Sequence, residues 1–117
     1  MKIFSLNQTF GIYALNKLNT TTDTSFNGAL ACLESFYHAF NNKDIEVLKK
    51  VWHEDDLSQL NNPLGGIIRG VGPIVELYDK VFKSKASVHV EFGSIICYET
   101  LRTVVFAGIE TGEFKNS

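Results

Sequence analysis

Cysteine is scarce in this sequence: Cys32 and Cys97 are the only two, and they form no C-x-x-C pair. Two thiols so far apart supply neither a disulfide framework nor a zinc site. Each falls in an apolar stretch, where a thiol behaves as a small buried hydrophobe. A reducing cytoplasm is the expected compartment. A basic surplus is also missing, since 11 Lys and Arg stand against 13 Asp and Glu, for a net charge of −2. Phosphate backbones require a basic footprint, so no nucleic-acid partner is expected. The small lysine groups, Lys49-Lys50 and Lys80, Lys83 and Lys85, read as solvated helix faces. No apolar run approaches the roughly 20 residues that span a bilayer, so no membrane partner is expected either. The opening Met1-Lys2-Ile3-Phe4-Ser5-Leu6 is broken at once by Asn7-Gln8-Thr9, with no small-residue cleavage site of a leader behind it. The N-x-T sequences at Asn7 and Asn19 would matter only in a secreted chain. Gly65-Gly66 and Gly70-Val71-Gly72 are not followed by the Lys and Ser/Thr of a phosphate loop, and no cofactor is expected.

What is present is an ordinary globular composition, 44% hydrophobic and 21% charged, which argues against disorder. At 117 residues the chain suits one domain of the common size, roughly 100–150 residues. Residues 1–24 read as an N-terminal arm. Leu6, Phe10, Tyr13 and Leu18 fit a helical spacing there, while Phe10, Ile12 and Ala14 alternate like a strand, and the period does not decide between them. The polar run Asn19 to Thr24 separates the arm from a domain over 25–117.

From Phe26 the pattern sharpens. Phe26, Leu30, Leu33, Tyr37 and Phe40, widened by Phe36, form the stripe of an amphipathic helix. Ser25 is placed to cap its start, and Asn41-Asn42 closes it. Asp44 suits the N-cap of a second helix with Ile45, Leu48, Val51 and Trp52 inward. Trp52 is expected to be buried between these two helices and the sheet. Ser58 to Asn62 and Ile67 to Arg69 read as short strands around the turn Pro63-Leu64-Gly65-Gly66. Gly70 to Pro73 opens a third helix with Ile74, Leu77, Tyr78, Val81 and Phe82 on its buried face. Val88, Val90 and Phe92 alternate with His89 and Glu91 as a half-buried strand, which Gly93 interrupts as a bulge. After a turn at Glu99-Thr100, a long strand runs from Leu101 to Phe114. Val104 to Ala107 is apolar on both faces, which predicts that this strand lies deep.

The order of elements, with Phe36 to Asp44 (FYHAFNNKD), Val51-Trp52, Asn62 to Gly70 (NPLGGIIRG) and Ile74 to Tyr78, resembles the SnoaL-like branch of the nuclear transport factor two-like superfamily. That superfamily includes ketosteroid isomerase and polyketide cyclases. The resemblance implies an α+β fold in which a curved antiparallel sheet wraps around three helices as a cone with an apolar mouth. It also implies departures. The position matching the isomerase tyrosine is Phe36, and the position matching its catalytic aspartate is Asn62. A carboxamide cannot shuttle a proton near neutral pH, and a phenyl ring cannot stabilise an oxyanion. Members of the branch usually continue through further strands, whereas this sequence stops at Phe114-Lys115-Asn116-Ser117. The usual final strand or strands of the cone are expected to be lacking.

Three functions follow as expectations. The leading one is a non-catalytic domain binding a small apolar ligand through Phe36, Phe40, Trp52, Leu60, Asn62, Leu77, Phe92 and Phe106. Core packing is the competing role for each apolar member, and Asn62 would orient a ligand carbonyl or hydroxyl. The second is a cyclase or hydrolase using His89, Glu91 or Asp55. The third is an assembly module whose cone is filled by its own side chains or by a partner's. Whichever holds, a homodimer is expected, with a tetramer as the larger form, through the edge of the last strand and the arm. His53-Glu54-Asp55-Asp56 lacks the spacing of a calcium loop and reads as a solvated helix end, so no metal is expected. His38 reads as locally hydrogen-bonded, and Arg69 as a turn anchor.

Overall fold

The structure is a computed structural model. It describes residues 1–18, 26–52, 59–62, 66–85, 87–101 and 103–115, with the backbone path alone at 59–62, 66–68 and 114–115. Among the described residues it is an α+β arrangement: three helices, a three-stranded antiparallel sheet and a two-stranded hairpin. In chain order the elements are β1 (Lys2–Leu6), α1 (Phe26–Asn42), α2 (Ile45–Val51), β2 (Gln59–Asn62), β3 (Gly66–Arg69), α3 (Val71–Lys83), β4 (Ser87–Glu99) and β5 (Val104–Lys115).

The helices form where the stripes and stops predict them. Between α1 and α2 the chain turns through Lys43 at φ 55°. Asp44 then caps α2 by accepting from the Val47 N–H at 3.2 Å, which satisfies one of the donors a helix start leaves open. Lys49 and Lys50 occupy the last turn of α2, and Lys80 and Lys83 that of α3, where positive charge meets the negative helix end. Gly70 precedes α3 at φ 89°, a conformation that glycine adopts without strain. The expected cap Ser25 and the cluster 53–56 lie outside the described residues.

The sheet order is β1-β4-β5. Residues 2–6 of the expected arm thus settle as a strand, pairing antiparallel with β4 from Lys2↔Glu99 to Leu6↔Ile95. Phe10 extends the contact by exchanging two backbone hydrogen bonds with Phe92, at 2.9 and 2.8 Å. The other side of β4 carries β5, and their register shifts between Gly93 and Ile96. Residues 94 and 95 of β4 there oppose Gly108 alone, a bulge beside the residue predicted for it, with Ser94 at φ 52°. A side chain at position 108 would bring its Cβ to 2.6 Å from the Gly93 carbonyl oxygen, so the close approach requires glycine.

Two expectations are corrected. The strand at 104–115 does not lie deep: Val105 is 51% and Ile109 63% exposed. β5 pairs on one side only, with β4, and its outer face has no layer over it among the described residues. Apolar residues on both faces do not bury an edge strand. Trp52 is half-buried and packs with Tyr78 of α3 at a ring separation of 6.5 Å, not between the first two helices and the sheet. The second helix ends one residue before it, so its ring turns toward α3.

The core has two parts. One lies between α1 and the sheet, around Tyr37, Phe92, Ile95 and Cys97. The other lies among the helices, around Ala39, Leu48, Ile74, Tyr78 and Phe82. Phe36 packs against both. Leu48 and Ile74 are wholly buried, each stabilising the fold by about 1.5–3 kcal/mol relative to exposure. Asn41, near the end of α1, joins helix to sheet: its amide donates to the Val90 carbonyl at 2.9 Å and accepts from the Val90 N–H at 2.7 Å.

Candidate functional site

The polar group best placed for binding comes from β5. Alternation along that strand puts Phe106 and Glu110 on the face toward α1, and Glu110 stands opposite Phe92 in the ladder. Tyr37 projects from the middle of α1 onto this face. Its ring stacks on Phe92 with centroids 5.4 Å apart and planes 10° from parallel. Its hydroxyl donates to Glu110 Oε2 at 2.7 Å. Tyr37 is buried while Glu110 is exposed, so a carboxylate that solvent can reach is held by a hydroxyl that it cannot. A charge-assisted bond of this length is of the strong class.

Two phenols register the site electrically. Burial first, then the hydrogen bond to Glu110 and the charge of Glu110, push the Tyr37 phenol above its ordinary range. Burial pushes Tyr78 up to about 12, with the Glu110 charge adding to it. The Tyr37 hydroxyl stays protonated at neutral pH and donates to Glu110. Among the described residues Tyr37 is the hydrogen-bond partner of Glu110, through Oε2, which leaves the second oxygen for another donor. Phe92, Tyr37, Tyr78 and Phe36 supply an aromatic surround, with Phe36 meeting Tyr37 edge-on at 5.1 Å and Tyr78 at 6.3 Å.

The other expected site residues divide between the two parts of the core. Phe106 packs with Phe26 at 6.0 Å on the sheet side. Phe40 meets Tyr78 and Phe82 at 6.1 Å on the helix side, and Leu77 is half-buried on α3. Trp52 lines a groove of about 450 Å³ with Lys49, Val71, Gly72 and Val75. Its indole N–H is buried and has no hydrogen-bond partner among the described residues. The side chains of Leu60 and Asn62 lie outside the described residues, although both positions pair with β3, at Ile68 and Gly66.

His89 and Glu91 do share one face of β4, both exposed, across from Glu113 and Thr111. They line a shallow outer groove of about 420 Å³ with Ile12, and the hydrogen-bond neighbour of His89 is Ser87 at 3.5 Å. Asp55 lies outside the described residues. His38 is locally hydrogen-bonded as expected, 3.3 Å from Asp44 and 3.4 Å from the Asn42 amide. Arg69 is exposed at the end of β3, opposite Gln59. Cys32 is half-buried and Cys97 wholly buried, both thiols pushed up by burial. Among the described residues no three His, Cys, Asp or Glu side chains converge as metal ligands. No helix there is long and apolar enough to cross a membrane.

Glu110 was missed by the sequence reading. Its signal was available: it is an acidic residue in phase with Phe106 on the strand face that otherwise turns inward. Comparison with protein-family models, with curated proteins and with solved structures returned no match. The likeness to the SnoaL-like branch rests on the sequence motifs alone.

Proposed function

We propose that this is a non-catalytic, cytoplasmic binding domain of the SnoaL-like type for a small, mainly apolar molecule carrying one hydrogen-bond donor. The donor meets the second oxygen of Glu110, and the apolar body lies at the solvent-facing rim of the cluster of Tyr37, Phe92 and Tyr78, whose rings are themselves buried. The supporting observation is the Tyr37–Glu110 bond, which fixes an accessible acceptor beside a buried aromatic cluster. Binding sites for small molecules combine apolar walls with a few placed polar groups in this way. The fixed carboxylate gives specificity, because a ligand lacking the donor leaves it without its partner.

The test compares 4-ethylphenol with ethylbenzene, two probes of nearly equal shape that differ in one hydroxyl. Amide chemical shifts of α1 and β5 are followed by NMR during titration. The phenol is expected to bind about tenfold more tightly, equivalent to about 1.4 kcal/mol. Glu110→Ala is expected to abolish that preference while leaving ethylbenzene binding in place. Equal affinities in the parent protein would sink the proposal.

A further inference from the structure

The long strand β5 has an unpaired edge among the described residues. β4 is paired on both sides, and the N-terminal strand β1 occupies the side of β4 away from β5. Strand β1 therefore does not cover the β5 edge. Twelve residues long, the strand offers about 40 Å of backbone. It holds no proline, and no lysine before Lys115, whereas exposed edges are commonly guarded by such residues. Its outer face is apolar at the centre: Val105 and Ile109 are 51% and 63% exposed. The apolar surface continues across the sheet through Tyr98, opposite Val105, to Ile3, opposite Tyr98.

We propose that the edge pairs antiparallel with β5 of a second copy of this chain, about a two-fold axis at Ala107. The sequence is self-complementary in that register. On the outer face Val105 meets the partner's Ile109, and Thr103 meets the partner's Thr111. On the inner face Phe106 stands opposite the partner's Gly108, an aromatic beside a glycine that leaves room for the ring. An axis at Ile109 would instead set Val105 against Glu113 and Ala107 against Thr111 on the outer face, whereas the Ala107 register keeps its apolar-against-polar pairing, Val104 with Glu110, to the inner face. Closed two-fold pairing is also the commonest solution for identical chains.

The register has a consequence for the binding site. Glu110 falls opposite the partner's Val104 on the inner face, so the second copy adds an apolar wall beside the carboxylate. That added wall rests on the reading of Glu110 as the ligand's acceptor; the pairing itself does not.

Light scattering on a sizing column at 50 µM, without any ligand, tests the pairing. The parent is expected to elute as a particle of twice 13.1 kDa. Ala107→Lys sets two charges against each other at the axis, on a face already exposed in the single chain, and is expected to give the single-chain mass. Ala107→Cys brings two thiols together there and is expected to cross-link under mild oxidation, while the parent under the same treatment does not. A parent of single-chain mass overturns the proposal. So does a particle of doubled mass that survives Ala107→Lys and fails to cross-link through Ala107→Cys. Neither readout involves ligand, so failure of the binding proposal leaves this one standing and the reverse.

Discussion

Where α1 crosses the sheet, side chains reach from helix to strand with hydrogen bonds: Asn41 to both backbone groups of Val90, and Tyr37 to Glu110. Ser35 of α1, itself wholly buried, accepts from the Lys17 N–H at 2.8 Å and so ties the N-terminal segment to the same helix. Where α2 and α3 meet, the core is made of rings and aliphatic chains, and the buried indole N–H of Trp52 has no partner among the described residues. The two regions are held by different physics. A polar clamp specifies position, because a displaced partner leaves a buried group unsatisfied. Apolar packing specifies volume and tolerates small displacements far better. The sheet side, which carries Glu110, is thus the side whose geometry is pinned.

The largest test of this contrast removes the ring that both clamps surround. Phe92→Ala is expected to cost about 3–5 kcal/mol, the range for large aromatic deletions in cores, measured as the shift in urea unfolding. A loss below about 1 kcal/mol would mean that the sheet side is not a core at all. A smaller effect is expected from Asn41→Ala, which leaves the Val90 N–H and carbonyl unpaired. The expected loss is about 2 kcal/mol, with faster hydrogen exchange at the Val90 amide. Unchanged exchange there would remove the clamp from the comparison. The smallest effect sharpens the helix side. Trp52→Phe loses ring volume but also removes the unpartnered donor, so the net change is expected to stay within about 1 kcal/mol. A loss near 3 kcal/mol would show that the indole N–H is bonded in solution and that this side too has a clamp.

The helices were legible because each carries a complete signal within its own length. The stripe from Phe26 to Phe40, the cap at Asp44 and the Gly70 entry to α3 all depend on neighbours a few residues away. β1 was not legible, since its five residues become a strand only by pairing with residues 95–99, more than eighty positions later. Tertiary pairing decides such segments, not their period. The exposure of β5 was hidden for a related reason. Val104 to Ala107 reads as buried from composition, but whether a strand is central or at an edge depends on what lies beside it. In the site, Phe36, Phe92 and Tyr37 were legible as apolar positions. The role of Tyr37 as donor was not, because Glu110 stands 73 residues away and only the β4–β5 register brings it across from Phe92.

The bulge in β4 also acts as a parity device. Along β4 the residues that pack against α1 have even numbers up to Phe92 and odd numbers from Ile95 onward. One additional residue makes the switch, and it is absorbed opposite Gly108. A ladder built this way can change direction without turning any inner side chain outward. An insertion or deletion of one residue elsewhere in either long strand would exchange the two faces of everything beyond it. At the bulge, chain length and face assignment are uncoupled, which marks Ser94 as the point in the sheet where the chain can vary in length while the aromatic wall and the outer apolar stripe keep their places.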